Sequence, residues 1–132
     1  MPLDQTKFPL PKNNGSIGQE ASVAITVDQL KEKLNLIQYN LDDGTREVTG
    51  GYAGDLLSWV MGRATSGDAW VTIMSNINVI AVAQLTDVAC VILAEGVIPG
   101  DDLIAAAKVR GINLFSSPEP TFTLSGKIFG EL

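Results

Sequence analysis

Small donors and acceptors gather at four places in the chain: Thr49-Gly50-Gly51-Tyr52-Ala53-Gly54-Asp55, Ser75 to Asn78, Glu95 to Asp101, and Ser116 to Glu119. Glycine permits positive φ and close backbone approach, while short hydroxyl and amide side chains both donate and accept. Such a set suits holding a small molecule more than transforming it. The candidate ligand contacts are Thr49, Gly50, Gly51, Asp55, Ser75, Asn76 and Ser117. Four of them have a plainer role as well. Gly50-Gly51 makes a tight turn before a helix, Gly54 eases packing on the sheet, Asp55 starts a helix, and Ser117 serves as an N-cap. Beyond Arg46 these loops carry little positive charge, so a heavily phosphorylated ligand would depend on backbone N–H groups.

Groups that move protons or attack carbonyls are scarce. The chain has no histidine, which excludes Ser-His-Asp and Cys-His catalysis and His-ligated zinc. Its single cysteine, Cys90, sits in an apolar run where a thiol is an inert core filler, and one cysteine forms neither an internal disulfide nor a metal cluster. Ser125-Gly126-Lys127 imitates the end of a phosphate-binding loop, but Thr121 stands where the leading glycine belongs and Ile128 follows the lysine. The pairs Asp42-Asp43 and Asp101-Asp102 read as a turn and a helix first turn, since adjacent helical residues do not face one way. No metal site and no cofactor is expected.

The elements that position these loops follow from hydrophobic period and punctuation. Thr26 and Gln29 have capping-box spacing ahead of a short helix bearing Val27, Leu30 and Leu34. Leu36–Tyr39 reads as a strand, Asp42-Asp43-Gly44 as a turn, and 45–48 as extended at best. A helix is predicted over 55–65, with an apolar stripe of Leu56, Leu57, Val60, Met61 and Ala64. Strand 70–74 and a buried helix over 76–85 follow. Val88–Leu93 is unbroken and apolar, the mark of a strand covered on both faces. A helix over 101–110 stops at Gly111, strand 112–115 follows, and Ser117-Pro118 opens a last helix carrying Phe122, Ile128 and Phe129. Alternation of strand and helix four times over predicts a single α/β domain, a mainly parallel sheet of about four strands with helices packed on it. In such sheets ligands collect at the carboxyl ends of the strands.

At 132 residues and 45% apolar content the chain is one domain with a proper core. Residues 1–22, with three prolines and an Asn-Asn-Gly-Ser run, read as a flexible arm, and 23–132 as the ordered domain. A net charge of −6 argues against nucleic acid or an anionic membrane as partner. The arm lacks the apolar core of a signal peptide, and Asn78, Gln84, Thr86 and Asp87 interrupt the most apolar stretch, so the expectation is a cytoplasmic protein. Trp59 lies roughly 130° from the stripe of its helix at 100° per residue. With Ile77 and Ile80 on a helix apolar all round, it predicts a homodimer contact.

The run Arg46-Glu47-Val48-Thr49-Gly50-Gly51-Tyr52-Ala53-Gly54-Asp55-Leu56-Leu57-Ser58 resembles the signature of DRTGG-domain proteins. Gly67-Asp68-Ala69-Trp70-Val71-Thr72-Ile73, Asn78–Ala83, Val91-Ile92-Leu93 and Gly111-Ile112 extend the resemblance over about residues 23 to 131. The resemblance is to small stand-alone members, themselves similar to the N-terminal domain of HPr kinase/phosphorylase. That domain is an α/β unit separate from the kinase domain with its P-loop; this chain has no such loop, so kinase activity does not carry over. Thr49, Gly50 and Gly51 match the motif directly, and Trp59 stands where a polar residue would be expected. The family implies a regulatory or dimerising module, of the kind found beside CBS domains in regulated pyrophosphatases and in some phosphotransacetylases. Stand-alone copies imply an accessory role near hydrogenase or NADH-linked electron-transfer proteins. The reading is a non-catalytic regulatory module that dimerises and senses a nucleotide or metabolite. The alternatives are a structural interaction subunit without ligand, and a transferase acting on a phosphorylated substrate.

Overall fold

The computed structural model describes residues 24–132, so the arm at 1–22 lies outside the described residues. The elements run α1 (Val27–Leu34), β1 (Ile37–Asn40), β2 (Gly50–Ala53), α2 (Leu57–Arg63), β3 (Asp68–Thr72), α3 (Asn78–Thr86), β4 (Cys90–Leu93), α4 (Asp101–Arg110), β5 (Leu114–Ser116) and α5 (Thr121–Glu131). The strands form one sheet in the order β1-β5-β4-β3-β2. β2, β3, β4 and β5 run parallel; β1 pairs antiparallel with β5, Ile37 opposite Ser116. The expected α/β domain is present, with two changes: a fifth strand, and an antiparallel edge.

β4 sits at the centre, and its side chains divide alternately between two cores. Ile92 joins Ala69, Val71, Phe115, Leu124 and Ile128 on the face covered by α1 and α5. Val91 and Leu93 join Trp70, Val60, Ile80, Leu103 and Leu114 on the face covered by α2, α3 and α4. This is why Val88–Leu93 lacks polar alternation.

Local signals hold where they are chemical. Gln29 N–H donates to Thr26 Oγ1 (3.2 Å) and Thr26 N–H to Gln29 Oε1 (2.9 Å), closing the capping box. Gly111 caps α4 at φ 69°. Others are corrected. Gly50-Gly51 is no turn; it forms strand β2 against Asp68–Val71. α2 begins at Leu57 after Leu56, not at Asp55. α5 begins at Thr121 after Pro120, because Ser117 still belongs to the sheet ladder, its N–H donating to Leu93 O (2.8 Å). Ile80 is 1% exposed, packed inside the chain's own core, so it offers no surface to a partner. α3 is not covered all round, since Leu85 is 74% exposed. No helix among the described residues is long and apolar enough to cross a membrane.

Asp68 is buried beside Gly50, and its Oδ2 accepts from Thr65 N–H at 2.8 Å. Burial raises its pKa above 3.8, outweighing that bond. A raised carboxyl pKa means the charged form opposes folding, so its cost sets in as pH climbs from 3.8 through the folded value and persists above. Asp68→Asn keeps the acceptor without the charge. It is expected to be at least as stable as the parent at pH 7, the difference shrinking toward pH 3, as urea melts across pH would show.

Candidate functional site

The three parallel βα loops that follow β3, β4 and β5, and the loop that follows β2, open on one rim of the sheet. Asp55 ties the loops after β2 and β3 together. Its Oδ1 accepts from Thr72 Oγ1 and from Ile73 N–H, each at 2.8 Å. Thr72 Oγ1 in turn accepts from Met74 N–H (3.1 Å). Thr72, buried at the last position of β3, is the residue sequence reasoning passes over. Its only signal is a lone hydroxyl at the end of an apolar strand.

Asn76 stands next along the rim, its Oδ1 accepting from Asn78 N–H (2.8 Å) where α3 starts; Ser75 is exposed beside it. Two strands away, Ser117 is buried and its Oγ accepts from Glu119 N–H (3.1 Å). The loops after β4 and β5 are stitched together as well. Glu95 N–H donates to Glu119 O (2.9 Å), Gly96 N–H to Ser117 O (3.0 Å), and Glu95 Oε2 accepts from Thr121 N–H (2.8 Å). Glu95 holds a left-handed φ of 60° ahead of Gly96 at 76° to make these bonds. The N-cap residues of α2, α3, α4 and α5 are Leu56, Ile77, Gly100 and Pro120, and none makes a side-chain cap. First-turn N–H groups on this rim therefore rely on neighbouring loops or on whatever else reaches them.

The structure brings Asp55, Ser75, Asn76 and Ser117 to that rim and leaves the start of the glycine motif elsewhere. Thr49 lies at the opposite end of β2, its N–H donating to Gly67 O (3.0 Å) at the head of β3. Its Oγ1 lies where a Cβ on Gly67, held at φ +88°, would have to go. Gly50 is small because the Asp68 carboxylate lies over it; a Cβ there would meet Oδ1 at 2.7 Å. Gly51 faces α5. Arg46 is also at the amino end, bonding Asp87 Oδ1 (3.2 Å) and Asp87 O (2.7 Å) at the C-terminus of α3, where a cation opposes the helix dipole. With Ser66, it holds the Asp87 carboxyl below the usual range. Burial pushes the Cys90 thiol up to about 12, which leaves it unreactive.

Trp59 is 54% exposed on the outer side of α2, with the Arg63 guanidinium 4.0 Å from its ring centre. Leu56, Met61 and Ile77 are exposed as well.

The fold is thus a small α/β domain whose mostly parallel sheet presents its loops on one rim. It is similar to the CBS and DRTGG domains of the regulatory region of Clostridium perfringens pyrophosphatase, solved with the activator diadenosine tetraphosphate. The TM-score is 0.69 at 19% sequence identity, over 97% of this chain and 54% of that one, so this chain spans about half the length of its neighbour. No protein-family model and no curated protein matches the sequence.

Proposed function

We propose that this chain is a non-catalytic regulatory module that senses a small nucleotide or metabolite at the carboxyl rim of its sheet. The observation that carries the reading is the bonding of that rim: Asp55 joins the loops after β2 and β3 through Thr72, and Glu95 joins those after β4 and β5. A ligand seated across them would change how two pairs of helices sit on the sheet, which is what a sensor requires. The similar pyrophosphatase region was solved with a nucleotide activator, and the motif residues Thr49, Gly50 and Gly51 support the rim by packing β2 against β3.

Calorimetric titration of the full chain with ATP, ADP, NADH and diadenosine tetraphosphate tests this. At least one is expected to bind, and at a hundred times its Kd to add about 2.7 kcal/mol of stability. Asp55→Ala should weaken that binding about tenfold or more by freeing Thr72 and Ile73, whereas Val109→Ala, exposed near the far end of α4, should not. Binding by none of the four, or binding indifferent to Asp55, rejects the sensor.

A second reading, a subunit that works through protein contacts, rests on the exposed Trp59–Arg63 pair beside Leu56. In this reading the patch is a homodimer contact or meets a hydrogenase or dehydrogenase component. Sedimentation should show the parent as a dimer and Trp59→Ala as a monomer; two monomers would remove the homodimer.

A further inference from the structure

α5 covers the sheet with Leu124 and Ile128, both buried, and leaves two phenylalanines in the open: Phe122 is 90% exposed and Phe129 57%. At roughly 100° per residue, Phe122, Gly126 and Phe129 fall within about 60° of one another, on the flank of α5 that borders β2. Beside that flank is a groove of about 410 Å³, floored in part by Gly51 and Ala53 and walled by the two phenylalanines. A ridge and a hollow thus lie side by side on one surface. Among the described residues β2 pairs only with β3, so no further strand closes the groove at the sheet edge.

Gly126 adds an independent observation. It stands in the middle of α5, where glycine weakens a helix relative to alanine. A Cβ there meets nothing within 4 Å, so packing among the described residues does not call for glycine. A second helix crossing at that point does, because the missing side chain lets two backbones approach closely. We infer that α5 packs against α5 of a second copy, antiparallel about a two-fold axis near Gly126. Phe122 lies four residues before that glycine and Phe129 three after it. The symmetry therefore sets Phe122 of each copy beside Phe129 of the partner subunit, over the groove. Ridge and hollow on one patch are the self-complementary surface that a two-fold contact requires.

Charge and area favour a copy over another occupant. Each chain carries a net −6, yet no side chain lining the groove among the described residues is charged at pH 7, and Lys127, off the stripe, is held by Glu119. Two copies meet here without bringing like charges together, while an anionic ligand finds no cation. The two phenylalanines leave about 300 Å² of aromatic surface open per copy, taking ~200 Å² for each side chain, over a third of the ~800 Å² per partner in a stable interface. The groove floor adds to that area. This contact lies across the sheet from α2 and Trp59, so it competes with the Trp59 dimer of the second reading, and one set of variants decides between them.

Sedimentation equilibrium of the full chain across a concentration series is the test. The parent is expected to dimerise, Phe122→Ser and Gly126→Leu to weaken the dimer at least tenfold, and Trp59→Ala to leave it unchanged. At a dilution where the parent is monomeric, Gly126→Leu should resist urea at least as well as the parent, which separates a lost contact from a damaged fold. A monomeric parent throughout the series overturns the contact and leaves the stripe to residues 1–22 or to a different protein. A dimer that survives both α5 variants, or that falls only with Trp59→Ala, overturns it too.

Discussion

Trp70→Ala is expected to remove about 3–5 kcal/mol of folding stability, a large share of the ~5–15 kcal/mol a domain commonly holds. Trp70 is fully buried at the middle of β3, between Tyr52 of β2 and Val91 of β4, and packs with Val60, Val79 and Ile80 beneath α2 and α3. Truncation would leave a void lined by residues of three strands and helices that the sheet register prevents from collapsing. Its indole Nε1–H also donates to Gly54 O at 2.9 Å, which fixes the chain just before Asp55. Trp70→Phe separates the two contributions, keeping most of the ring contact and losing the bond. It should cost about 1–2 kcal/mol, since Gly54 is only half-buried and its carbonyl can turn to water. Urea melts with unchanged m-values measure both. If Phe proves as costly as Ala, the bond to Gly54 rather than packing dominates.

The same residue shows why some of the fold is legible from sequence and some is not. A strand through Trp70 and another through Val88–Leu93 follow from apolar runs too long and too β-branched for a turn. The capping box at Thr26 and the stop at Gly111 follow from side-chain chemistry that acts within a few residues. β2 does not follow, because glycine is depleted in strands and two in succession read as a turn. Its conformation is imposed by β3: Gly50 must lie under the Asp68 carboxylate and Gly51 against Ala69, and only contacts distant in sequence make that demand. The direction of β1 is equally hidden, since alternation with period two is the same in a parallel and an antiparallel strand. For the candidate site, the loops after strands are readable as a class, and Asp55, Ser75, Asn76 and Ser117 do share a rim. Thr49 falls away from that rim because it precedes β2 and the rim lies at that strand's far end, and Ile80 turns inward because an apolar helix does not announce which side its own sheet will cover.

A single amide side chain, which composition and motif give no reason to notice, organises the amino end of the sheet. Asn113 is buried just before β5, and its Oδ1 accepts from Asp42 N–H (2.7 Å) and Asp43 N–H (3.0 Å). Its Nδ2 donates to Asp43 O and to Ala89 O, each at 3.0 Å. One side chain thus fastens the turn after β1 to the approach into β4, across about 70 residues of sequence in one direction and 24 in the other. Asn113→Ala is expected to cost about 3 kcal/mol: Asp42 and Asp43 are exposed and their amides can take water, but Ala89 O stays buried and unpaired, at roughly 1–3 kcal/mol for such a group. Asn113→Asp is the sharper variant. It preserves shape and both acceptor bonds but sets a carboxylate oxygen against two carbonyls, so the folded pKa of the introduced carboxyl must rise above the unfolded value. Its penalty is therefore small below the unfolded pKa and grows as pH climbs through the folded one. Urea melts at pH 3.5 and pH 7 should find the Asn113→Asp variant closer to the parent in acid, and at pH 7 less stable than Asn113→Ala. A pH-independent penalty equal to that of Asn113→Ala would show that the two donated bonds contribute nothing beyond the space the amide fills.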